Sequence, residues 1–227
     1  MLIDQAQIEF QILIDKLATS QLPEFSPILI DYFLNSGSER FVNSRYGRTN
    51  VYQAGFEQIQ KRTEDLKSIV VPYTGDTVAD SALAEDSNAV VLPLPSDYRF
   101  WVRGRAYVER ENCTGIWSGV KLVKQDKIEK ARIDPFNKSR PSAPLTYFEE
   151  GAIKVLKGDS FNVTRFQVVY IKNPAKVNAG TYGQDRVEFD LSEHTHKEII
   201  AMAVDIALEN IESRRIQTIQ NQLQKIE

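Results

Sequence analysis

The stretch Phe100-Trp101-Val102-Arg103-Gly104-Arg105-Ala106-Tyr107-Val108-Glu109 decides the class of fold, because its side chains alternate along its length. Successive side chains of an extended strand point to opposite faces. Phe100, Val102, Gly104, Ala106 and Val108 make a core-like face, and Trp101, Arg103, Arg105 and Tyr107 an amphipathic one, with Arg99 just ahead of it. A strand of this kind needs partners. Upstream, Pro93 and Pro95 cannot donate to a ladder and bracket the strand start. Alternation returns at Ile116, Val120 and Leu122, at Ile153 and Val155, at Phe166, Val168 and Tyr170, and at Val187, Phe189 and Leu191. Short runs separated by Pro, Gly, Asn and Asp predict a central, mostly antiparallel sheet. Lys157-Gly158-Asp159 reads as a hairpin turn, and the prolines between Asp134 and Pro144 predict an extended loop.

On both sides of this region the hydrophobic period becomes helical. Ile3, Ala6, Phe10, Leu13, Ile14 and Leu17 form one stripe that Pro23 stops. Ser26 followed by Pro27 reads as an N-cap with proline at the first helical position, opening a second helix that ends near Gly47. Tyr52, Phe56, Ile59, Leu66 and Val70 line one face of a third. After the strands, Thr195 and Glu198 stand at capping-box spacing, with Ser192 as a competing cap. Ile199, Ile200, Ala203, Val204, Ala207, Leu208 and Ile211 then give a wide apolar face that should press on the sheet. Beyond Arg214 and Arg215 the stripe shifts to Ile216, Ile219, Leu223 and Ile226, a narrow seam that asks for a partner in its own chain or a neighbouring subunit. The expected fold is therefore one α+β domain over residues 1–227. N-terminal helices fill 1–70, a β-rich part with its extended loop at 134–144 fills 71–191, and a long C-terminal helix packed on the sheet fills 192–227.

With 227 residues, 42% of them hydrophobic, the chain can bury a substantial core. Its net charge of -3 gives no bulk attraction to nucleic acid or an anionic membrane. A single cysteine, Cys113, excludes an intrachain disulfide framework, and two histidines exclude any metal centre needing three imidazoles. Asp4, Glu9 and Asp15 interrupt the first apolar stretch as no signal peptide allows, and no run approaches the roughly 20 apolar residues of a membrane helix. A soluble protein with no membrane partner is expected.

His194-Thr195-His196 resembles a ligand pair, but residues two apart share a face only in an extended segment, and the predicted cap lies there. No metal is expected. Cys113 has no nucleophile context, and no phosphate loop, nucleophile elbow or dinucleotide spacing occurs, so the sequence offers no catalytic residue and no cofactor site. The face of Trp101, Arg103, Arg105 and Tyr107 with Arg99 is the best basic and aromatic combination. It suits cross-strand pairing or a protein interface, and alternatively a nucleic-acid-binding module that stacks bases over residues 99–107. A second basic set, Arg40, Arg45, Arg48, Lys61 and Arg62, reads mostly as solvated helix surface.

Five groups of short phrases, taken in order, resemble the ring and connector proteins of the neck and tail of crAss-like tailed bacteriophages. They are Leu34-Asn35 with Arg40-Phe41-Val42; Leu94-Pro95-Ser96-Asp97-Tyr98; Asp134-Pro135-Phe136-Asn137-Lys138 with Pro144 downstream; Val169-Tyr170-Ile171-Lys172-Asn173-Pro174; and the run from Leu191 to Ile200. The resemblance spans most of the chain. It implies a non-enzymatic virion component, assembled in the host cytoplasm, whose copies form a ring coaxial with the portal in the head-to-tail connector or tail channel. Its neighbours would be copies of itself, the portal and adjacent neck or tail ring proteins, with genomic DNA passing through unread. A closed ring requires one surface to meet a different surface on the next copy. The expected interface residues are Trp101, Arg103, Arg105 and Tyr107 on the strand face, Pro135 and Phe136 in the loop, and Ile216, Ile219, Leu223 and Ile226 in the tail helix.

Overall fold

A computed structural model describes residues 1–17, 25–47, 59–79, 89–110, 113–149, 151–158, 160–180 and 185–223, the last thirteen as backbone alone. Its helices are α1 (Ile3–Leu17), α2 (Pro27–Tyr46), α3 (Gln60–Leu66), α4 (Ile128–Ile133) and α5 (His196–Leu223). Its strands are β1 (Val70–Asp76), β2 (Val78–Ala79), β3 (Ala89–Pro93), β4 (Tyr98–Arg110), β5 (Cys113–Gly119), β6 (Lys121–Leu122), β7 (Leu145–Glu149), β8 (Ala152–Leu156) and β9 (Asn162–Lys172). The fold is α+β, as the change of hydrophobic period predicts. The chain gathers into two compact units, a helical one from residues 1–69 and 174–227 and a β-rich one from residues 70–173. No described helix is long and apolar enough to cross a membrane.

In the helical unit α1 and α2 both pack on α5. The shared core joins Ile3, Ala6, Phe10 and Ile14 of α1 to Ile30, Phe33 and Leu34 of α2 and to Ile200, Ala203, Val204 and Ala207 of α5. Phe10 stacks on Phe33 with centroids 6.1 Å apart, and Phe25 meets both rings edge-on. Gly37 sets the approach of α2 to α5: a Cβ there would lie 2.8 Å from the Ile199 carbonyl oxygen and 3.0 Å from the Ala203 Cβ. Because backbone cannot yield as a flexible side chain does, Gly37→Val is expected to destabilise the helical unit by about 1–3 kcal/mol, read as a lower midpoint for loss of helical circular dichroism.

Local signals placed α2 well. Pro27 opens it and Gly47 follows it, although the Ser26 hydroxyl makes no capping bond and the Ser26 carbonyl alone receives the first helical N–H groups. The capping box of Thr195 and Glu198 does not form either. The Thr195 hydroxyl donates to the Ser192 carbonyl at 2.7 Å, while Glu198 is held by Arg45 and Lys61. α3 is short, and Val70, expected on its apolar face, instead begins β1; Tyr52 and Phe56 lie outside the described residues. The alternating Val187, Phe189 and Leu191 make no strand. A single antiparallel bridge joins Val187 to Asn178, and Phe189 and Leu191 are spent on packing. On either side of Asn178 the backbone bonds to α2 instead of to this segment: Asn35 exchanges two hydrogen bonds with the Val177 backbone, and Asp31 accepts from the Ala179 N–H at 3.1 Å.

The β-rich unit contains two sheets, ordered β1-β9-β4-β5 and β2-β3-β8-β7-β6, antiparallel throughout except for β6 beside β7. One core lies between them, with Ala106, Val108, Phe166, Val168 and Tyr170 from the first sheet meeting Val90, Leu92, Ile153 and Val155 from the second. The second sheet also buries its other face, where Ala89, Leu145, Tyr147 and Leu156 gather under Ile128 of α4. That is why β3 and β8 read as unbroken apolar runs interrupted only by Lys154. Since β8 and β9 belong to different sheets, the Lys157-Gly158 turn passes the chain between sheets and closes no hairpin.

Candidate functional site

The strand face singled out in the sequence is divided by a bulge. Along β4, Trp101 pairs with Tyr170 and Arg103 with Val169, leaving Val102 as the extra residue. The insertion turns Trp101 onto the same face as Gly104, whose missing Cβ makes room for its ring. Trp101 therefore packs inward, edge-on to Phe148 at 5.6 Å and tilted against Phe166 at 6.3 Å. Arg103, Arg105 and Tyr107 remain on the outer face, in register with Val169, Gln167 and Arg165 of β9. Tyr107 also faces Trp117 of β5, centroids 5.4 Å apart, and the Arg165 guanidinium lies 5.4 Å from the Tyr107 ring. The outer face is thus an aromatic pair ringed by three exposed arginines, of which sequence alternation alone found two.

The segment Asp134–Pro144 is not extended. Asp134 accepts from the Phe136 N–H at 2.9 Å and from the Asn137 amide at 2.6 Å, and its carbonyl receives the Lys138 N–H at 2.9 Å. Arg140 donates to the Pro135 carbonyl, Lys121 to Asn137, and the Ser139 hydroxyl bridges the Leu156 carbonyl and the Leu145 N–H. Hydrogen bonds from Asn137 and the Phe136 N–H hold the Asp134 carboxyl below its ordinary range. An aspartate heading a turn in this manner folds the backbone upon itself, which the proline count concealed. The turn projects Phe136, 82% exposed, beside Ile133 at the end of α4, 81% exposed. Pro135 is exposed as well.

The tail positions Ile216, Ile219 and Leu223 fall within the continuous α5, and Ile226 lies outside the described residues. The second basic set is divided: Arg40 and Lys61 are exposed helix surface with acidic partners, and Arg45 and Arg62 are drawn out of solvent. Arg45 donates to Asp65 at 2.8 Å and to Glu198, Lys61 pairs with Glu198 at 3.0 Å, and Arg40 lies within 3.5 Å of Asp205 and Glu209. Arg62, 8% exposed, donates to the carbonyls of Arg45 and Gly47 and so closes the end of α2. Arg48 lies outside the described residues.

The two histidines do not converge. His194 Nε2 is 3.0 Å from Asp65, whereas His196 is buried, stacked on Phe189 at 4.8 Å, with Nε2 donating to the Leu191 carbonyl at 3.0 Å. Its Nδ1 is buried without a partner. The neutral tautomer satisfies this environment, and a second N–H would not. Burial holds the His196 imidazole below its ordinary 6.5, against the opposing pull of the Leu191 carbonyl, Glu193 and Glu188. The unfolded chain takes up this proton below about 6.5 while the folded one does not, so His196 contributes stability above that value that is lost as the pH falls. Replacing it by Gln should flatten the acid limb of a stability–pH curve below about pH 6.5. An unchanged slope would assign that limb to carboxylates.

The sequence phrases acquire separate roles. In Leu94-Pro95-Ser96-Asp97-Tyr98, Asp97 accepts the Tyr170 hydroxyl at 2.8 Å and its carbonyl receives the Asn173 N–H at 2.7 Å, so this phrase latches onto Val169-Tyr170-Ile171-Lys172-Asn173-Pro174. Burial and Asp97 push the Tyr170 phenol up to about 12. Leu34, Phe41, Val42, Ile199 and Ile200 are buried, and Asn35 secures Val177. Four of the five phrases thus hold the fold together. Asp134-Pro135-Phe136-Asn137-Lys138 differs, for it builds a rigid turn whose largest apolar side chain faces solvent. Among the described residues no group of three or more side chains is arranged to hold a metal ion.

Comparison with curated proteins finds no match. Comparison with family models finds one that covers residues 1–221, described as phage tail ring protein 3/4. With nearly the whole chain matched, the protein belongs to the phage tail ring protein 3/4 family of crAss-like phages, a virion component with a structural role in the tail.

Proposed function

We propose that copies of this chain close into a homo-oligomeric ring in the head-to-tail connector or tail channel and perform no catalysis. The portal or adjacent neck and tail rings are its neighbours, and genomic DNA passes through without being read. Assembly takes place in the host cytoplasm. The observation that carries the reading is Phe136: a large apolar side chain 82% exposed on a turn braced from several sides. A pre-ordered apolar projection loses little entropy when a partner covers it, which is the property of an interface anchor. Pro135 and Phe136, the outer face of Arg103, Arg105 and Tyr107, and the end of α5 with Ile216, Ile219 and Leu223, together with Ile226 beyond the described residues, are the surfaces assigned to neighbours. Trp101 supports that outer face from the inside of the sheet.

Removing the residues after Arg215 tests the reading. Native mass measurement and electron microscopy are expected to show loss of rings, and circular dichroism a retained helical melt, since the core of α1, α2 and α5 lies before that point. Intact rings, or an unfolded product, would overturn the role given to the tail helix.

A second reading is favoured by Arg103, Arg105 and Arg165 around the pair Tyr107 and Trp117, a surface on which single-stranded nucleic acid can stack. The two readings separate on Arg103→Ala/Arg105→Ala. Altered assembly with unchanged DNA affinity supports the ring, whereas normal rings with loss of salt-sensitive DNA binding support the nucleic-acid module.

A further inference from the structure

The helical unit carries an apolar face that the sequence did not disclose. On α1, Ile8 and Ile12 are 56% and 47% exposed and stand one turn apart; on α2, Ile28 and Tyr32 are 54% and 61% exposed at the same spacing. Gln7 joins the two helices here, donating to Asp31 at 2.7 Å and to the Pro27 carbonyl. Glu9 and Asp15 border the α1 stripe, and neither has an ion-pair partner among the described residues. The face is therefore apolar at its centre and acidic along its margin.

The β-rich unit carries its counterpart. Ile133 and Phe136 project from the end of α4, next to a shallow groove of about 440 Å³ around Leu122 and Val123 that Lys121, Lys124, Lys127 and Lys130 line. Lys124, Lys127 and Lys130 have no ion-pair partner among the described residues. Asp134 also lines the groove, so this face is apolar at its tip and, with four lysines to one aspartate, basic on balance along its margin.

We infer that the α1–α2 face of one copy receives the Phe136 turn of the next. Phe136 and Ile133 cover Ile8, Ile12 and Tyr32, and the lysines around α4 oppose Glu9 and Asp15. The inference rests on the ring reading and supplies what that reading lacks, the surface that accepts the projecting turn. Charge decides between the possible pairings. Either face set against its own duplicate would bring like charges together, at a cost that disfavours a two-fold contact, whereas acidic face on basic turn is complementary. A contact between two different surfaces is also what propagates from copy to copy until a ring closes.

The test uses the full chain with Cys113→Ser, so that introduced thiols alone react. Gln11→Cys on α1 and Lys138→Cys beside Phe136 are both at exposed positions and leave the apolar residues in place. The doubly substituted chain, treated with a short bis-maleimide linker, is expected to give a ladder of covalent multimers, and each single variant almost none. Lys124→Glu/Lys127→Glu/Lys130→Glu is expected to weaken assembly at least tenfold, and adding Glu9→Lys/Asp15→Lys to restore it. Intact rings without a ladder, or linked dimers from either single variant, overturn this pairing while leaving the ring reading standing. An unsubstituted chain that stays monomeric at every concentration and never enters tail particles overturns both.

Discussion

Glu149→Ala is expected to lower the stability of the β-rich unit by up to about 3–5 kcal/mol, the range for breaking a buried ion pair from one side. Lys154 lies in the middle of β8, 2% exposed, in register with Val91 on one side and Tyr147 on the other. Both neighbours are buried, so the Lys154 ammonium is drawn to the Glu149 carboxylate across the β7–β8 turn. Without Glu149 the buried ammonium loses this ion pair, and a buried charge that is less fully paired costs free energy. The reverse deletion is milder. In Lys154→Met the carboxylate left behind is 24% exposed and can turn toward water, while methionine fills the volume of the lysine stem. Both tryptophans, Trp101 and Trp117, lie in this unit, so urea unfolding followed by fluorescence reads it directly. A lower midpoint at constant slope is the expected signature for Glu149→Ala. A loss below about 1 kcal/mol would mean that other acceptors suffice for the lysine, and Lys154→Met falling as far as Glu149→Ala would overturn the asymmetry between the two partners.

Lys154 also shows what the sequence made legible. A lysine within Ala152-Ile153-Lys154-Val155-Leu156 is consistent with a strand, and the strand is there, but its burial depends on the second sheet packing on both faces. Proline, glycine and alternation placed elements where side-chain caps did not form: Pro27 and Gly47 bound α2, and the alternation of Phe166, Val168 and Tyr170 matches β9. Rules that need a partner failed where the partner was distant. Trp101 changed face because β4 takes up an extra residue against β9, and register is a property of the pair. Arg45 and Arg62 look like solvated cations until Asp65 and the end of α2 are brought beside them. Val187, Phe189 and Leu191 alternate like a strand, but only Val187 bridges to Asn178, and the flanking Val177 and Ala179 are bonded to the side chains of Asn35 and Asp31 rather than to this segment.

The candidate interface was legible to an uneven degree. Phe136 was found because it is apolar in a polar stretch, and its turn was missed because Asp134 acts through side-chain acceptors rather than through the prolines. Arg165 and Trp117 join Arg103 and Tyr107 only through cross-strand register. The α1–α2 face escaped altogether. Ile8 and Ile12 lie off the stripe of Ile3, Ala6, Phe10, Leu13, Ile14 and Leu17, and whether such residues face solvent or a neighbour is set by what covers that side of the helix.

Asp65→Ala carries the largest effect expected in the helical unit, about 3 kcal/mol or more. Asp65 is 1% exposed and accepts from Arg45 Nε at 2.8 Å and His194 Nε2 at 3.0 Å, so one carboxylate joins α3 to α2 and to the turn that precedes α5. Arg45 in turn reaches Glu198 on the first turn of α5 and lies over the Phe41 ring at 4.7 Å. Deleting Asp65 leaves a guanidinium that is 18% exposed with one of its two carboxylates, and an imidazole with none. Arg45→Met should cost a comparable amount by the opposite route, stranding the buried Asp65 carboxylate with His194 as its remaining partner. The double variant Asp65→Ala/Arg45→Met is the informative one. If the two groups stabilise mainly by satisfying each other, its loss falls well short of the sum of the single losses. Helical circular dichroism during urea unfolding supplies all three values. Strict additivity would mean that Asp65 serves His194 and Arg45 serves Glu198 as separate contacts, and the junction of α2, α3 and α5 would then be two independent bonds instead of one network.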